Sequence, residues 1–348
     1  MARLLEVKNL TVCVNKNGRL LKILDNINFN IDEGEILGIA GESGCGKTMT
    51  ALSISALLPN DVKITEGHII YKKRDLVNLS EKELLGVRGK EIAIIFQDSR
   101  QALNPLIKVG KQITEVLELT GSKEQKTENA EKKKELKLNK KKQRENDKFL
   151  ALELLSALGF NEPEQTFNAY PHQLSGGMCQ RVMTAIAVIN HPKLLLGDEP
   201  SSSLDEESQE KCLTVLKEMN KKHNTSLVII SHDLSIIKEF CSRFIIMYAG
   251  KIIEEGPASS LFTPLHPYTF ALVNAKPNKE KRGKKLESIR GKVPSVYDQL
   301  QGCPFAPRCT RANKICKEIF PPLNAIGNGN VYCYYPNEAE YQKGGVND

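Results

Sequence analysis

The sequence lacks tryptophan and has few aromatic residues of any kind, which make up 6% of its 348 positions. It also lacks a long apolar run, since none approaches the stretch of about 18 apolar residues that a membrane-spanning helix needs. Residues 1–6 become acidic and polar before the hydrophobic region of a signal peptide could form. We therefore expect no membrane span, and a chain that is made and kept in the cytoplasm.

Most of the chain also lacks a strong excess of positive or negative charge. The net charge is +7, and residues 121–148 alone hold eleven basic against six acidic side chains. This Lys-rich insertion is low in complexity and in apolar residues, so we expect a mobile loop or an exposed helical hairpin. An excess of positive charge that is confined to one segment gives little support to a nucleic-acid-binding face.

Cysteine is present in a pattern that argues against a disulfide framework. Nine cysteines without a secretory signal favour reduced thiols. Four of them lie within about thirty residues of one another, with the spacing C-x5-C-x6-C-x16-C. This spacing matches neither the close pairs of zinc sites nor the common ferredoxin patterns, so the spacing alone shows only that four thiols lie near one another. The tail is poor in core-forming residues and rich in Pro and Gly, a composition that needs an internal cross-link, so we expect a metal site and leave the metal open. The alternative is four separate cysteines; the residues are Cys303, Cys309, Cys316 and Cys333.

The most specific motif is the stretch at residues 41–48, which reads G-x-x-x-x-G-K-T. The apolar run at residues 35–40 predicts a buried strand before it, and residues 49–58 predict a helix after it. In this context backbone amides surround a phosphate chain, Lys47 reaches the terminal phosphates and Thr48 holds Mg²⁺. A dinucleotide fingerprint fails because its third glycine is missing. The predicted phosphate cradle is Gly41, Glu42, Ser43, Gly44, Cys45, Gly46, Lys47 and Thr48.

Polar side chains follow three apolar runs that predict buried strands. They are Gln97, the pair Asp198 and Glu199, and His232. The carboxyl ends of such strands are usual places for a ligand. In a phosphate-binding protein the first acid suits Mg²⁺ and the second suits a general base for water. A lone histidine is usually structural, but at a strand exit we expect it to face the same ligand.

The pattern between residues 98 and 190 is mainly helical. Within it, Ser175 precedes two glycines and a long apolar helix, which predicts a second anion-binding helix start. Together and in this order, the motifs resemble those of the ATP-binding cassette (ABC) ATPases over about residues 1–258. The resemblance implies an α/β P-loop NTPase with a RecA-like core, an antiparallel β subdomain and a helical subdomain at about residues 98–190.

The resemblance also implies roles and a dimer. The Leu-Ser-Gly-Gly stretch of this family binds the γ-phosphate of ATP held by the opposite subunit. Thr48 and Asp198 would hold Mg²⁺, Gln97 would sense metal and attacking water, Glu199 would polarise that water, and His232 would contact the γ-phosphate. Further nucleotide-binding residues would be Ser175, Gly176, Gly177, Gln180 and Asp205.

Three positions depart from the family pattern. Val14 stands where the family usually has an aromatic residue that stacks on adenine, which leaves base stacking open. Cys179 replaces a usual arginine in the signature, and Ser203 replaces a usual alanine. None of these changes removes a catalytic group.

The residues after about position 258 make the resemblance more specific, because they are similar to those of the oligopeptide and dipeptide importer ATPases. The segments that carry it are residues 266–269, 293–295 and 302–309. The importers imply a heterodimer with a second homologous ATPase, two membrane permeases, an extracytoplasmic peptide-binding protein, and a peripheral place at the cytoplasmic face of the membrane. They also favour a structural 4Fe-4S cluster over zinc at the four cysteines. Residues 259–348 would form this small extension, with a basic linker at residues 276–285.

Three other functions compete with this interpretation of the residues. Another solute, such as nickel, fits the same ATPase, because the solute does not touch it. A soluble ABC protein acting on nucleic acid or ribosomes fits less well, since the chain has one cassette and no long heptad repeat. A P-loop kinase would leave the signature and the cysteine tail unexplained.

Overall fold

The computed structural model describes residues 2–120, 130–275, 289–298 and 300–337, with the backbone alone for residues 119–120 and 130–138. The expected basic linker and the first part of the Lys-rich insertion lie outside these ranges. The chain forms two compact units, residues 1–84 with 228–348, and residues 85–227. The phosphate cradle belongs to the first unit, and the signature to the second.

The described chain contains parallel and antiparallel strands together with helices, which agrees with the expected α/β class. The strands are β1 (Arg3–Lys16), β2 (Arg19–Asp32), β3 (Ile36–Ala40), β4 (Val62–Tyr71), β5 (Arg74–Asp75), β6 (Ile92–Ile95), β7 (Leu194–Asp198), β8 (Ser226–Ile230), β9 (Arg243–Tyr248), β10 (Lys251–Pro257), β11 (Leu323–Ile326) and β12 (Gly329–Tyr332). The helices are α1 (Lys47–Ile54), α2 (Glu81–Leu85), α3 (Ser99–Ala102), α4 (Val109–Thr120), α5 (Ala130–Ala157), α6 (Pro163–Asn168), α7 (Gly176–Val188), α8 (Glu206–His223), α9 (Leu234–Phe240), α10 (Pro267–Asn274) and α11 (Lys314–Glu318).

An antiparallel sheet in the first unit has the strand order β2-β1-β4-β5. β1 and β2 form a hairpin through Asn17 and Gly18, whose φ angles are 53° and 80°. Two-residue hairpins need this left-handed pair because it matches the twist of the strands. The antiparallel strands predicted within residues 1–32 are confirmed.

The first unit also contains the strand that leads into the phosphate cradle. β3 is buried along its whole length and pairs in parallel with β9. The predicted hairpin of β9 and β10 forms, with Ala249 and Gly250 in the turn at φ 44° and 78°. β12 then adds to β10, and β11 adds to β12. The predicted boundary at residue 258 therefore falls inside one compact unit, because the extension continues a sheet of the cassette.

In the second unit β6 and β7 pair in parallel, with Ile92 opposite Leu194. The predicted helical character of this region is present in α3 to α8. Val109 and Ile113 of α4 are fully buried, which fits the amphipathic pattern seen in the sequence. These helices and strands carry the polar residues predicted for the second half of the site.

The Lys-rich insertion contributes to a long helix. α5 begins at Ala130, well before residue 149 where the apolar periodicity begins. Lysine and glutamate are good helix formers, so the helix can extend through the Lys-rich segment without an apolar stripe. Asp147 near the end of the insertion is only 3% exposed and accepts a hydrogen bond from the Gln143 amide at 2.8 Å. The last turns of the insertion are therefore packed.

Candidate functional site

The phosphate loop connects β3 to α1 in the first unit. Its glycines Gly41, Gly44 and Gly46 have φ angles of 152°, 79° and 107°, where a side chain would be strained. Lys47 begins α1, and its ammonium donates to the carbonyl oxygens of Gly41 at 2.8 Å and Glu42 at 3.0 Å. The loop is thus wrapped around the lysine that the sequence predicts to bind phosphates.

The helix after the loop is shorter than the sequence predicts and begins earlier. α1 ends at Ile54 rather than residue 58, and Ala56 follows in the left-handed region at φ 54°. Thr48 is half-buried in the first turn, and its role at Mg²⁺ stays a prediction. The unpaired amides of this first turn and the glycine-rich loop together give the geometry of a phosphate site.

A cavity of about 360 Å³ lies beside the phosphate loop in the same unit. One side is formed by residues 20–23 at the start of β2, and Gly44 of the loop borders it. Residues 294–296 of the C-terminal extension line it as well. Val14, the position at which the family pattern has an aromatic residue, is 6% exposed and does not line this cavity. Sequence patterns missed the cavity because it is formed by distant segments.

Glu42 of the phosphate loop has partners in the extension that the sequence did not predict. The Arg308 guanidinium donates to both carboxylate oxygens of Glu42, at 2.6 and 3.1 Å. The Tyr268 hydroxyl accepts from the backbone N–H of Glu42 at 2.7 Å. Hydrogen bonding to Glu42 raises the pKa of Arg308, so the guanidinium of this pair stays charged. The only sequence signal for these contacts was that Arg308 and Tyr268 lie in the tail segments that resemble importer ATPases.

His232 follows β8 and is exposed in the first unit. The Ser231 hydroxyl accepts from the backbone N–H of Asp233 at 2.9 Å, and Asp233 caps α9. These local bonds fix the turn in which His232 stands. The placement agrees with the prediction that His232 follows a core strand.

Asp198 and Glu199 end β7 in the second unit. Asp198 is 3% exposed, whereas Glu199 is half-buried. Glu199 has a φ of 52°, and such strain costs about 1–3 kcal/mol and is common at functional sites. The Ser202 hydroxyl donates to the Glu199 carbonyl at 3.2 Å, which holds this turn.

Gln97 follows β6 in the same unit and is exposed. Asp98 caps α3 by accepting from the Gln101 backbone N–H at 3.3 Å. Gln97 therefore lies just after the end of β6, as predicted, and shortly before the capped helix α3.

The signature forms the start of α7. The exposed Ser175 hydroxyl caps this helix by accepting from the Met178 N–H at 3.2 Å. Gly176 and Gly177 form the first turn, and a Cβ atom at Gly177 would lie 3.3 Å from the Leu204 side chain. The predicted helix start is therefore formed, with Gly177 closely packed, and its binding of an anion stays a prediction.

Two further predicted nucleotide-binding residues, Gln180 and Asp205, differ in exposure. Gln180 is only 1% exposed, and within the described ranges no hydrogen-bond partner meets its amide nitrogen. Asp205 is exposed and caps α8, accepting from the Ser208 backbone N–H and hydroxyl at 2.9 Å each. These bonds lower the pKa of Asp205. The neighbouring Cys179 is buried and donates to the Pro171 carbonyl.

The four clustered cysteines line one pocket in the C-terminal extension. His266 lines it as well, with its Nε2 atom 4.0 Å from the Cys303 sulfur. Burial lowers the pKa of His266 to about 3, so this imidazole is neutral. The fold therefore gathers the cysteines that the sequence placed within one short stretch.

The surroundings of the four cysteine sulfurs bear on whether these residues fit a metal. Backbone N–H groups donate to two of the sulfurs, Arg311 to Cys309 at 3.4 Å and Tyr335 to Cys333 at 3.3 Å. Burial raises the pKa of the Cys333 thiol to about 11. Across the described part of the chain, no group of three or more His, Cys, Asp or Glu residues has the geometry to hold a metal ion.

None of the helices in the described residues combines the length and the apolar character needed to cross a bilayer.

Comparison with known proteins agrees with these observations. Residues 24–202 match the family model described as ABC transporter, and residues 253–316 match the oligopeptide/dipeptide transporter C-terminal region. The dipeptide transport ATP-binding protein DppD of Haemophilus influenzae is 39% identical, over 97% of this chain and 99% of that protein. The oligopeptide transport ATP-binding protein OppD of Bacillus subtilis is 41% identical, over 94% of this chain and 87% of that protein.

A solved structure supports the fold. The dimeric ATP-binding cassette MJ0796, bound to ADP and Pi after hydrolysis, has a TM-score of 0.62 at 28% identity. It covers 73% of this chain, and the match spans 98% of that chain. With both halves of the ABC pattern in place, this chain belongs to the ABC transporter family of ATPases.

Proposed function

We propose that this ATPase powers the uptake of oligopeptides or dipeptides through a membrane importer. The observation that carries the proposal is the C-terminal extension, whose residues 253–316 match the peptide-transporter region. The extension also contacts the phosphate loop through Arg308 and Tyr268, so it is part of the working unit. The names of the relatives point to the same class of solute.

In the proposed reaction, Lys47 and the loop amides bind the phosphates of ATP, and phosphoryl transfer relies on positioning and charge neutralisation. Mg²⁺, when bound, would neutralise charge on the phosphates and be held by Thr48, Asp198 and Gln97. Glu199 orients and polarises the attacking water, and its strained backbone at φ 52° supports a functional placement.

His232 contacts the γ-phosphate in this proposal. Ser175 and the first turn of α7 bind the γ-phosphate of ATP held by a second subunit, because a capped helix start with free amides suits an anion. We propose that the second subunit is a homologous ATPase. Asp205 would act near the same interface through the turn that it caps.

The proposed assembly includes two membrane permeases, contacted through the helical region at about residues 98–190. An extracytoplasmic peptide-binding protein would deliver the solute. The chain would then lie peripherally at the cytoplasmic face of the membrane and bind no nucleic acid.

Peptide uptake tests this function. In cells lacking the chromosomal copy, the wild-type chain should restore uptake of radiolabelled di- and tetrapeptides, and Lys47→Ala should not. Lys63→Ala is the matched control, since Lys63 is an exposed lysine of the same unit on β4. Restored uptake of nickel without peptides would contradict the solute class and leave the ATPase intact.

We also propose that the four clustered cysteines hold a 4Fe-4S cluster. All four line one pocket, and two sulfurs accept backbone hydrogen bonds of the kind that surrounds iron–sulfur clusters. Zinc is the alternative, because four thiolates also bind zinc, and the absence of a preformed metal-binding group in the described residues does not distinguish the two. The resemblance of the tail to the peptide-importer ATPases favours iron–sulfur. A cluster spreads its thiolate ligands over several irons.

Anaerobic purification with iron and sulfide analysis tests the cluster. We expect iron and sulfide in the ratio of a 4Fe-4S cluster, with broad visible absorbance that Cys316→Ser removes. Cys13→Ser is the control, because Cys13 is an isolated buried cysteine of β1. Stoichiometric zinc without the visible absorbance would contradict the proposal.

A further inference from the structure

We propose that Arg308 and Tyr268 of the C-terminal extension are positioning residues of the phosphate loop, and that the extension thereby sets the affinity of the loop for ATP. Both residues act on Glu42, the second residue of the loop. Neither residue belongs to the phosphate-binding stretch itself.

The contact between Arg308 and Glu42 has a demanding geometry. Two guanidinium nitrogens face the two carboxylate oxygens at 2.6 and 3.1 Å. The Arg308 side chain is 4% exposed and that of Glu42 is 22% exposed. A bidentate, charge-assisted pair of this kind fixes orientation as well as distance.

Arg308 is itself held in place before it reaches the loop. Its guanidinium donates to the carbonyl oxygens of Arg290 at 2.8 Å and Ile289 at 3.2 Å. It also donates to the Tyr248 hydroxyl at 3.0 Å. The arginine is therefore a rigid support for Glu42, not a flexible surface side chain.

Tyr268 fixes the backbone of the same residue. Its hydroxyl accepts the Glu42 N–H at 2.7 Å, and its ring is fully buried. The Glu42 carbonyl in turn accepts from the Lys47 ammonium at 3.0 Å. The extension thus holds the loop residue to which the phosphate-binding lysine is bonded. A loop ordered in advance loses less conformational entropy on binding ATP.

A merely structural ion pair would fasten the extension without affecting ATP, and the same unit offers a matched control. Arg243 pairs with Glu35 at 2.8 Å and with Glu255 at 3.2 Å. None of these three residues belongs to the phosphate loop. Loss of Arg243 should therefore reduce stability without changing ATP affinity.

The test compares Arg308→Gln with Arg243→Gln. We expect Arg308→Gln to raise the Kd for Mg-ATP about tenfold, equivalent to about 1.4 kcal/mol. KM for ATP should rise with it, while kcat at saturating ATP changes less. Arg243→Gln should lower the thermal midpoint and keep the wild-type Kd. A wild-type Kd in Arg308→Gln would overturn the proposal.

A double-mutant cycle separates positioning from independent effects. Glu42→Gln should weaken ATP binding as Arg308→Gln does, and the double variant should be no worse than either single one. Additive losses would contradict the proposal. If Arg308→Gln gives no soluble protein, Glu42→Gln decides the question, because a wild-type Kd there would also refute it.

The cavity beside Gly44 independently carries a second inference. We infer that the extension forms one wall of the pocket for the nucleotide base. Val296 and Leu300 face the cavity together with Leu21 and Ile23 of β2. A planar base attached to phosphates on the loop can be buried between these apolar side chains.

Comparison of ATP with inorganic triphosphate tests the base pocket. Val296→Asp should weaken ATP binding and leave triphosphate binding unchanged, because only ATP carries a base. Leu57→Asp is the control, a partly exposed leucine of the same unit that does not line the cavity. Unchanged ATP affinity in Val296→Asp, or an equal loss for both ligands, would refute the assignment.

Discussion

Replacing Gly41 by alanine should disable the phosphate loop, whereas the same replacement at Gly18 should not. A Cβ atom at Gly41 would lie 2.2 Å from the backbone oxygen of Met247. Since ordinary contact begins at 3.4 Å, the loop must move by about 1 Å. The φ of 152° adds backbone strain of about 1–3 kcal/mol. At Gly18 the φ is 80° and nothing lies within 4 Å, so we expect only strain of about 1–2 kcal/mol.

Two measurements separate these effects. Denaturant unfolding should show that both variants are destabilised, Gly41→Ala more than Gly18→Ala. Mg-ATP binding and hydrolysis should fail in Gly41→Ala alone, because a misplacement of about 1 Å at a catalytic site can cost about 10²-fold in rate. Wild-type ATP affinity and turnover in Gly41→Ala would refute the assignment of this loop.

Three further predictions concern stability. Deleting residues 123–147 should lower the thermal midpoint, because this deletion removes the packed Asp147. Deleting residues 123–138 keeps Asp147 and should leave the midpoint unchanged. Equal midpoints for the two deletion variants would contradict this prediction. Ser175→Ala should cost about 1 kcal/mol in the free energy of unfolding through the lost cap of α7, and an unchanged value would argue against the cap. Burial raises the pKa of Glu254 to about 7 from 4.5, so the folded state keeps a proton that the unfolded chain releases. The free energy of unfolding should therefore fall by up to about 3 kcal/mol as pH rises across that window, and Glu254→Gln should remove this slope; equal slopes would show that Glu254 is not the cause.

The sequence was sufficient for features that depend on local pattern. The phosphate loop at residues 41–48 follows an apolar strand and precedes a helix, and all three are neighbours in the chain. The hairpin of β9 and β10 was likewise predicted from a short turn between two apolar runs. In both cases the physical cause lies within about twenty residues, so the pattern predicts the structure.

The sequence was insufficient where distant residues meet. Arg308 and Glu42 are separated by 266 positions, and no local pattern connects them. The sequence left the Lys-rich insertion open between a mobile loop and a helical hairpin, because this segment lacks an apolar stripe; the chain is helical from Ala130, which lysine and glutamate favour. Gln180 stays predicted to bind nucleotide, and its burial on α7 depends on packing that a motif does not record.

Steady-state hydrolysis by Glu199→Gln tests most directly whether Glu199 is the general base for ATP bound at residues 41–48. The variant should bind Mg-ATP with wild-type affinity, hydrolyse it at least about 10²-fold more slowly, and release unreacted ATP on denaturation. Glu206→Gln is the matched control, since Glu206 is an exposed acid in the first turn of α8. It should hydrolyse ATP at the wild-type rate. Unimpaired hydrolysis by Glu199→Gln would contradict the account.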